Sequence, residues 1–130
     1  MSYPSEFLYT KDHEWVRLEG ETATIGITDY AQKELGDIVF VELPKVGDHL
    51  TAAEPLGAIE SVKAVSDVFA PISGTVEAIN AQLQDKPEIV NSDPHGEGWL
   101  IRVRVADPKE TERLMNAEAY EAYLHQTQAH

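Results

Sequence analysis

Lys63 lies at the centre of the stretch Gly57-Ala58-Ile59-Glu60-Ser61-Val62-Lys63-Ala64-Val65-Ser66-Asp67-Val68-Phe69-Ala70, and its amine is the group this stretch is arranged to present. Apolar residues alternate with polar ones on both sides, through Ile59 and Val62 before it and Val65 and Val68 after it. The pattern predicts two short strands, with Lys63 at or beside the tip of their hairpin. A pair such as Lys63-Ala64 lacks the Asn-Gly or Asp-Gly chemistry that favours a tight primed turn, so turn propensity did not select the lysine. On the hairpin alone two readings stand: a solvated charge, which is the ordinary state of a loop lysine, or an amine chosen for a role of its own.

Other reactive groups are missing or scattered. There is no cysteine, so the polypeptide has neither a disulfide nor a thiol nucleophile, and any dithiol chemistry must come from an attached group. The chain has no Gly-rich phosphate loop and no Gly-x-Ser-x-Gly. His13, His49, His95, His125 and His130 do not fall at ligand spacing, which leaves metal binding and hydrolysis without support. Carboxylates are abundant, but in so acidic a chain a pair of them carries no information about glycoside chemistry.

With 130 residues the chain suits one domain, 1–130, with a modest core and no room for a separate catalytic domain. Ten basic against twenty-three acidic side chains give a formal charge of -13. That surface repels phosphate backbones and anionic headgroups, so neither nucleic acid nor a membrane is expected as partner. It either steers the molecule towards basic patches on other proteins or keeps it soluble. Met1-Ser2-Tyr3-Pro4-Ser5-Glu6 has no basic segment and no apolar run of signal-peptide length, and no later stretch approaches membrane-spanning length. A bacterial cytoplasm is the expected compartment, and a monomer the expected state.

The elements that must position Lys63 read mainly as strands. Phe7-Leu8-Tyr9 and Glu14–Leu18 flank a turn at Lys11-Asp12-His13, and Glu19-Gly20-Glu21 turns the chain into Thr22–Ile27. Thr28 caps a helix over Asp29–Leu35 that Gly36 stops. Asp37–Leu43, the most hydrophobic run of the first half, predicts a buried strand. Thr75–Asn80 alternates again. Ala81–Glu88 is turn-like, Ile89–Gly98 reads as a loop, and Trp99–Val105 is the last strand. Asp107-Pro108-Lys109-Glu110 announces a first C-terminal helix with a capping box, and a second runs from about Asn116 to His125, with Tyr120, Tyr123 and Leu124 on the face that docks to the sheet.

Two copies of Pro-x-x-Gly, Pro44-Lys45-Val46-Gly47 and Pro71-Ile72-Ser73-Gly74, bracket the hairpin and suggest two similar units related by a pseudo-twofold, with Lys63 at their junction. Gly47 sixteen residues before Lys63, Glu60 three before it and Gly74 eleven after it resemble the spacing of lipoyl carrier domains, whose lysine is amide-linked to lipoic acid. Biotin carriers are similar in plan but place methionines beside their lysine, and Val62 and Ala64 argue against them. Over its length the chain resembles the glycine cleavage H-protein family. The matching stretches are His13–Val16, Ala23–Asp29, Gly36–Pro44, Glu60–Ala64, Pro71–Gly74, Asn91–Pro94 and Gly98–Leu100. Lipoyl domains of 2-oxoacid dehydrogenase acyltransferases carry Asp-Lys-Ala and lack the N-terminal hairpin and the C-terminal helices.

The resemblance implies a mainly β, lipoyl/biotinyl-type β-sandwich (a barrel-sandwich hybrid) with a short helix in the N-terminal half, a core of about 22–105 and C-terminal helices of about 107–126. It implies lipoic acid on Lys63 and a carrier, not an enzyme. Glycine decarboxylase, with pyridoxal phosphate, would load the arm with the aminomethyl group of glycine. A tetrahydrofolate-dependent aminomethyltransferase would unload it, and dihydrolipoamide dehydrogenase, with FAD, would reoxidise it. A lipoate ligase or lipoyltransferase would attach the group, reading Glu60 together with Gly47 and Gly74. Glu14 and Asp67 match positions lining the cleft that shelters the loaded arm, and Asp12 stands there where many relatives have serine. His95 replaces a tyrosine common in the family. Two other readings use the same residues: a lipoyl relay for another pathway, or an unmodified β-rich interaction module with Lys63 as a surface charge.

Overall fold

The computed structural model describes residues 3–128; His130 and the ends of the expected domain, at 1–2 and 129–130, lie outside the described residues. Strands β1 (Leu8–Tyr9), β2 (Glu14–Glu19) and β3 (Thr22–Ile27) form a meander that leads into helix α1 (Asp29–Leu35). β4 (Ile38–Glu42), β5 (His49–Leu50), β6 (Pro55–Ser61), β7 (Val65–Phe69) and β8 (Gly74–Ile79) follow, then two single-turn helices, α2 (Gln82–Asp85) and α3 (Ile89–Ser92). β9 (Ile101–Val105), a 3-10 helix (Pro108–Arg113) and helix α4 (Ala117–Gln128) complete the order. Two antiparallel sheets result: a six-stranded one in the order β1-β2-β3-β9-β8-β5 and a three-stranded one in the order β4-β6-β7. Among the described residues no helix is long and apolar enough to cross a membrane.

The core follows from the period-two alternation. Val16, Ile25, Ile101, Val103 and Val76 of the larger sheet meet Ile38, Val41, Ile59 and Val68 of the smaller one, all buried. Each such side chain contributes roughly 1.5–3 kcal/mol of transfer free energy. A second, aromatic cluster joins the two ends of the chain. Phe7 stacks on Trp15 at 4.6 Å, Tyr9 stacks on Tyr120 at 4.7 Å, and Leu124 is buried beside them, so the expected face of α4 does dock, on β1 and β2. Trp15 fixes two of the quoted motifs. Its indole N–H donates to Pro94 O at 3.0 Å, and a Cβ on Gly26 would come within 2.6 Å of the indole.

Four local expectations change. β4 is only half buried: Val39 and Phe40 are 53% and 46% exposed, because a bulge between Ile38 and Phe40 interrupts the alternation in a strand at the sheet edge. The stretch read as turn and loop from Ala81 to Gly98 contains α2 and α3, one turn each. β9 begins at Ile101 because the Trp99 backbone serves the preceding loop, its N–H donating to Gly96 O and its C=O accepting from Asn80 Nδ2. The capping box is not reciprocal. Asp107 does accept from Lys109 N, but the Glu110 carboxylate instead takes the backbone N–H and the hydroxyl of Ser73, at 2.7 and 2.9 Å, and the first helix is 3-10.

Candidate functional site

The hairpin tip is Ser61-Val62-Lys63-Ala64, between β6 and β7. Ser61 N donates to Ala64 O at 2.8 Å, while the Ser61 hydroxyl oxygen accepts from Lys63 N at 3.3 Å and Ala64 N at 3.1 Å. A side-chain oxygen thus supplies the turn that the tip residues lack, and neither Val62 nor Lys63 is left-handed. Val62 N also donates to Asp37 O at 3.0 Å, which ties the tip to the start of β4. Lys63 is exposed and forms no ion pair among the described residues. Its stem lies across Gly36, where a Cβ would be 3.5 Å from Lys63 Cε.

Gly36 ends α1 with φ +81, and its surroundings hold the helix end in place. Asn91 of α3 donates through Nδ2 to Gly36 O and to Gln32 Oε1, both at 2.9 Å, and accepts from Ile38 N at 2.9 Å. At the other end the Thr28 hydroxyl caps the helix by accepting from Ala31 N, as its sequence predicts, and the His95 ring accepts from Asp29 N at 3.1 Å through Nε2. Burial holds His95 below the usual histidine range, against the pull of Asp29 and Asp93, so the neutral acceptor form is favoured.

α1 also supplies one wall of a cleft of about 170 Å³. Ala31, Glu34 and Leu35 come from α1, Ile59, Ser66, Asp67 and Val68 from the β6–β7 hairpin, and Asp12, His13, Glu14 and Ile27 from the first sheet. The three cleft acids expected from sequence, Asp12, Glu14 and Asp67, are therefore brought together. Ile27, Ala31, Leu35, Ile59 and Val68 form its apolar walls, and Glu34 adds a fourth acid to the lining. Glu14 is 2% exposed; Thr10 Oγ1 donates to its Oε1 at 2.6 Å and Phe69 N to its Oε2 at 3.1 Å. Burial pushes its carboxyl up to about 7, Asp12 adds to the rise, and the two hydrogen bonds oppose it. The aspartate at position 12 thus acts on its neighbour's ionisation as well as on the cleft's polarity.

The other expected site residues are divided between the sheets. Glu60 lies in β6 of the Lys63 hairpin, paired with Phe40 on one side and Val65 on the other. Gly47 and Gly74 stand in or against the six-stranded sheet, Gly47 with φ +98 and its N–H on Val76 O, Gly74 in β8 where a Cβ would strike Arg104 O. The two Pro-x-x-Gly glycines therefore meet different requirements, one conformational and one of close approach.

Sequence reasoning missed Ser61, His13, Glu34 and Ser66. Glu34 carried a usable signal, since it follows Ala31 by three residues on one helical face. His13 did not: it adopts φ +70 and is held by Tyr120, whose hydroxyl lies 2.8 Å from His13 Nδ1. A larger hollow of about 270 Å³ lies between the β2–β3 turn and the 3-10 helix. Its charged lining, Arg104 and Glu21, is already paired at 3.1 Å, and the hydroxyl of Thr111, which also lines it, is bound to Pro108 O at 2.7 Å, so the smaller cleft is the functional candidate.

A sequence profile described as glycine cleavage H-protein matches residues 7–127. A glycine cleavage system H protein of Geobacillus kaustophilus is 57% identical over 126 residues, 97% of this chain and 99% of that protein. One of Acidobacterium capsulatum is 50% identical over the full length of both. The crystal structure of a glycine cleavage system H protein from Mycobacterium marinum superimposes with a TM-score of 0.82 at 38% identity, covering 92% of this chain and 97% of that one.

Proposed function

The chain belongs to the glycine cleavage H-protein family, and from that premise we propose that Lys63 is the residue through which it carries lipoic acid, as an amide. It is a carrier of the glycine cleavage system with the family's β-sandwich, not a catalyst, and it works with that system's other components. The observation that carries the assignment to Lys63 is its placement: an exposed amine on a turn built by Ser61, its stem laid across the end of the helix that walls the acidic cleft.

The residues fit such a group. Acylation removes the ammonium charge, and among the described residues Lys63 has no ion pair to lose. The attached group would supply the dithiol chemistry that a cysteine-free chain lacks. Ile27, Ala31, Leu35, Ile59 and Val68 offer apolar walls to an alkyl arm, and Glu14, Asp67 and Asp12 offer acidic ones to an amine it carries. A carboxyl poised near 7 is about half ionised at neutral pH, so a cation entering the cleft would draw Glu14 to its charged form. Exclusion of water there would protect a labile cargo between partners.

The partners proposed are a pyridoxal phosphate glycine decarboxylase, a tetrahydrofolate-dependent aminomethyltransferase and an FAD-containing dihydrolipoamide dehydrogenase, with a lipoate ligase or lipoyltransferase for attachment, in a bacterial cytoplasm. Tethering would set the arm's effective concentration at a docked active site on the order of millimolar. Glu60, three residues before Lys63 in the same hairpin, is proposed as the acid that the attaching enzyme reads. Intact-mass measurement on protein from lipoate-competent cells is expected to show one lipoyl group that is absent from Lys63→Arg, and the modified protein is expected to support glycine-dependent CO2 exchange with the decarboxylase. An unmodified wild-type mass would refute the reading.

A further inference from the structure

Helix α4 reaches the cleft through the hydroxyl of Tyr120. The ring is fully buried and stacked on Tyr9, and its Oη lies 2.8 Å from Thr28 Oγ1 and 2.8 Å from His13 Nδ1. Burial pushes the ionisation of Tyr120 up, so it keeps its one proton, donates to one of these neighbours and accepts from the other. Thr28 fixes the direction. Its oxygen already accepts from Ala31 N, and among the described residues the acceptor for its own hydrogen is Tyr120 Oη. Tyr120 must then donate to His13 Nδ1, and a ring that accepts through Nδ1 is neutral, with its proton on Nε2.

Protonating His13 would reverse each bond of this chain. Nδ1 would donate to Tyr120 and Tyr120 to Thr28, leaving the Thr28 hydrogen without an acceptor at a fully buried position. The backbone is held as well, since His13 N donates to Thr10 O at 3.2 Å and His13 O accepts from Thr28 N at 3.0 Å. Burial holds the ring below the usual histidine range, against the pull of Asp12 beside it and of Glu34 on α1, and the rings of Tyr30 on α1 and Tyr123 on α4 pack near it. Glu14 and Asp67 share the cleft with it.

We infer that Tyr120 is a positioning residue for the cleft: the donor chain from Thr28 through Tyr120 to His13 keeps that histidine neutral, so that it does not itself become the cation that Glu14, Asp67, Asp12 and Glu34 receive in place of an amine on the Lys63 arm. The inference rests on Lys63 being the lipoylated residue and on the cleft sheltering its loaded arm. In a space of about 170 Å³ an imidazolium would stand close to any visiting amine and repel it while neutralising the acids that attract it. The C-terminal helix thereby sets the charge of a site to which it lends no charged group.

The test uses the full chain. In the unmodified protein, imidazole nitrogen–proton correlation spectra, with His13 assigned by its loss in His13→Asn, are expected to show the Nε2–H tautomer and a titration below the usual histidine range. Tyr120→Phe keeps the stacked ring and removes only the oxygen; a thermal melt checks its fold, and its His13 is expected to titrate at higher pH than in wild type. The lipoylated proteins are then loaded with the aminomethyl group by glycine decarboxylase and separated from it, and loss of the cargo is followed as released ammonia. Tyr120→Phe is expected to lose cargo at the wild-type rate at about pH 8, where the histidine is neutral in both, and several-fold faster as the pH falls between the two titrations. Adding His13→Asn is expected to remove that excess, since asparagine is tolerated at the left-handed φ of position 13. An Nδ1–H tautomer in wild type would overturn the inference without recourse to any variant's fold. Equal His13 titrations in the two proteins would overturn it too, as would an excess loss independent of pH, which loosened packing would give. Cargo lost from wild type as fast in buffer as in urea would instead overturn the sheltering cleft, and a wild-type chain that takes no lipoyl group would overturn the carrier assignment.

Discussion

The β2–β3 and β6–β7 hairpins solve the same problem from opposite ends. The first turns through Gly20, left-handed at φ +63, with nothing within 4 Å of where its Cβ would stand. Geometry consumes the tip residue there. The second turns because Ser61, at the base, accepts two backbone N–H groups, and its tip residues keep ordinary conformations. Val62 and Lys63 are thereby released from any turn requirement and can be chosen for what they meet outside. Glu14 joins the two systems, since it begins β2 and accepts the N–H of Phe69 at the end of β7.

The largest effect should come from the glycine of the second hairpin. A Cβ on Gly57 of β6 would strike the Glu42 carbonyl oxygen of β4, so Gly57→Ala must push the two strands apart. A loss of about 3 kcal/mol in chemical denaturation is expected. Unchanged stability would mean that the strands can separate freely, and that the second hairpin is as open as the first.

Glu14→Gln tests the tie between the hairpins. The folded carboxyl titrates near 7 and the unfolded one near 4.5. Between those values the folded state binds more protons, so wild-type stability falls as pH rises through the window and is level above it. Glutamine does not titrate, yet its side-chain oxygen can still accept from Phe69 N. The variant's stability relative to wild type should therefore increase by about 2–3 kcal/mol between pH 4 and pH 8. A difference independent of pH would show that Glu14 ionises normally.

Most strands and α1 were legible because their signals are local: alternation in Glu14–Leu18, Thr22–Ile27 and Thr75–Asn80, and the Thr28 cap with the Gly36 stop. The cleft was legible only in part. Asp12, Glu14 and Asp67 came from family resemblance, while His13, Glu34 and Ser66 reach the same space through a left-handed residue, a helix face and a strand edge that no spacing rule joins. Asp37–Leu43 shows the limit most clearly. An apolar run states how much hydrophobic surface exists, but the bulge at Val39 decides which part turns outward, and nothing in the run announces a bulge. Ser61 is illegible for a related reason: the donor-acceptor chemistry of the turn lies one step before its tip residues.

The smallest effects distinguish the two turns themselves. Gly20→Ala places a side chain at positive φ in open space, and Ser61→Ala leaves Lys63 N and Ala64 N without their side-chain acceptor. Each is expected to cost about 1 kcal/mol, so stability alone does not separate them. Acylation does. Gly20 lies on the other sheet, and its replacement should leave the rate of Lys63 modification at the wild-type value, whereas loss of Ser61 loosens the turn whose order presents the amine and should slow that rate several-fold. Equal acylation by the two variants would mean that the lysine needs only to be exposed, and that its position on a side-chain-built turn contributes nothing to its selection.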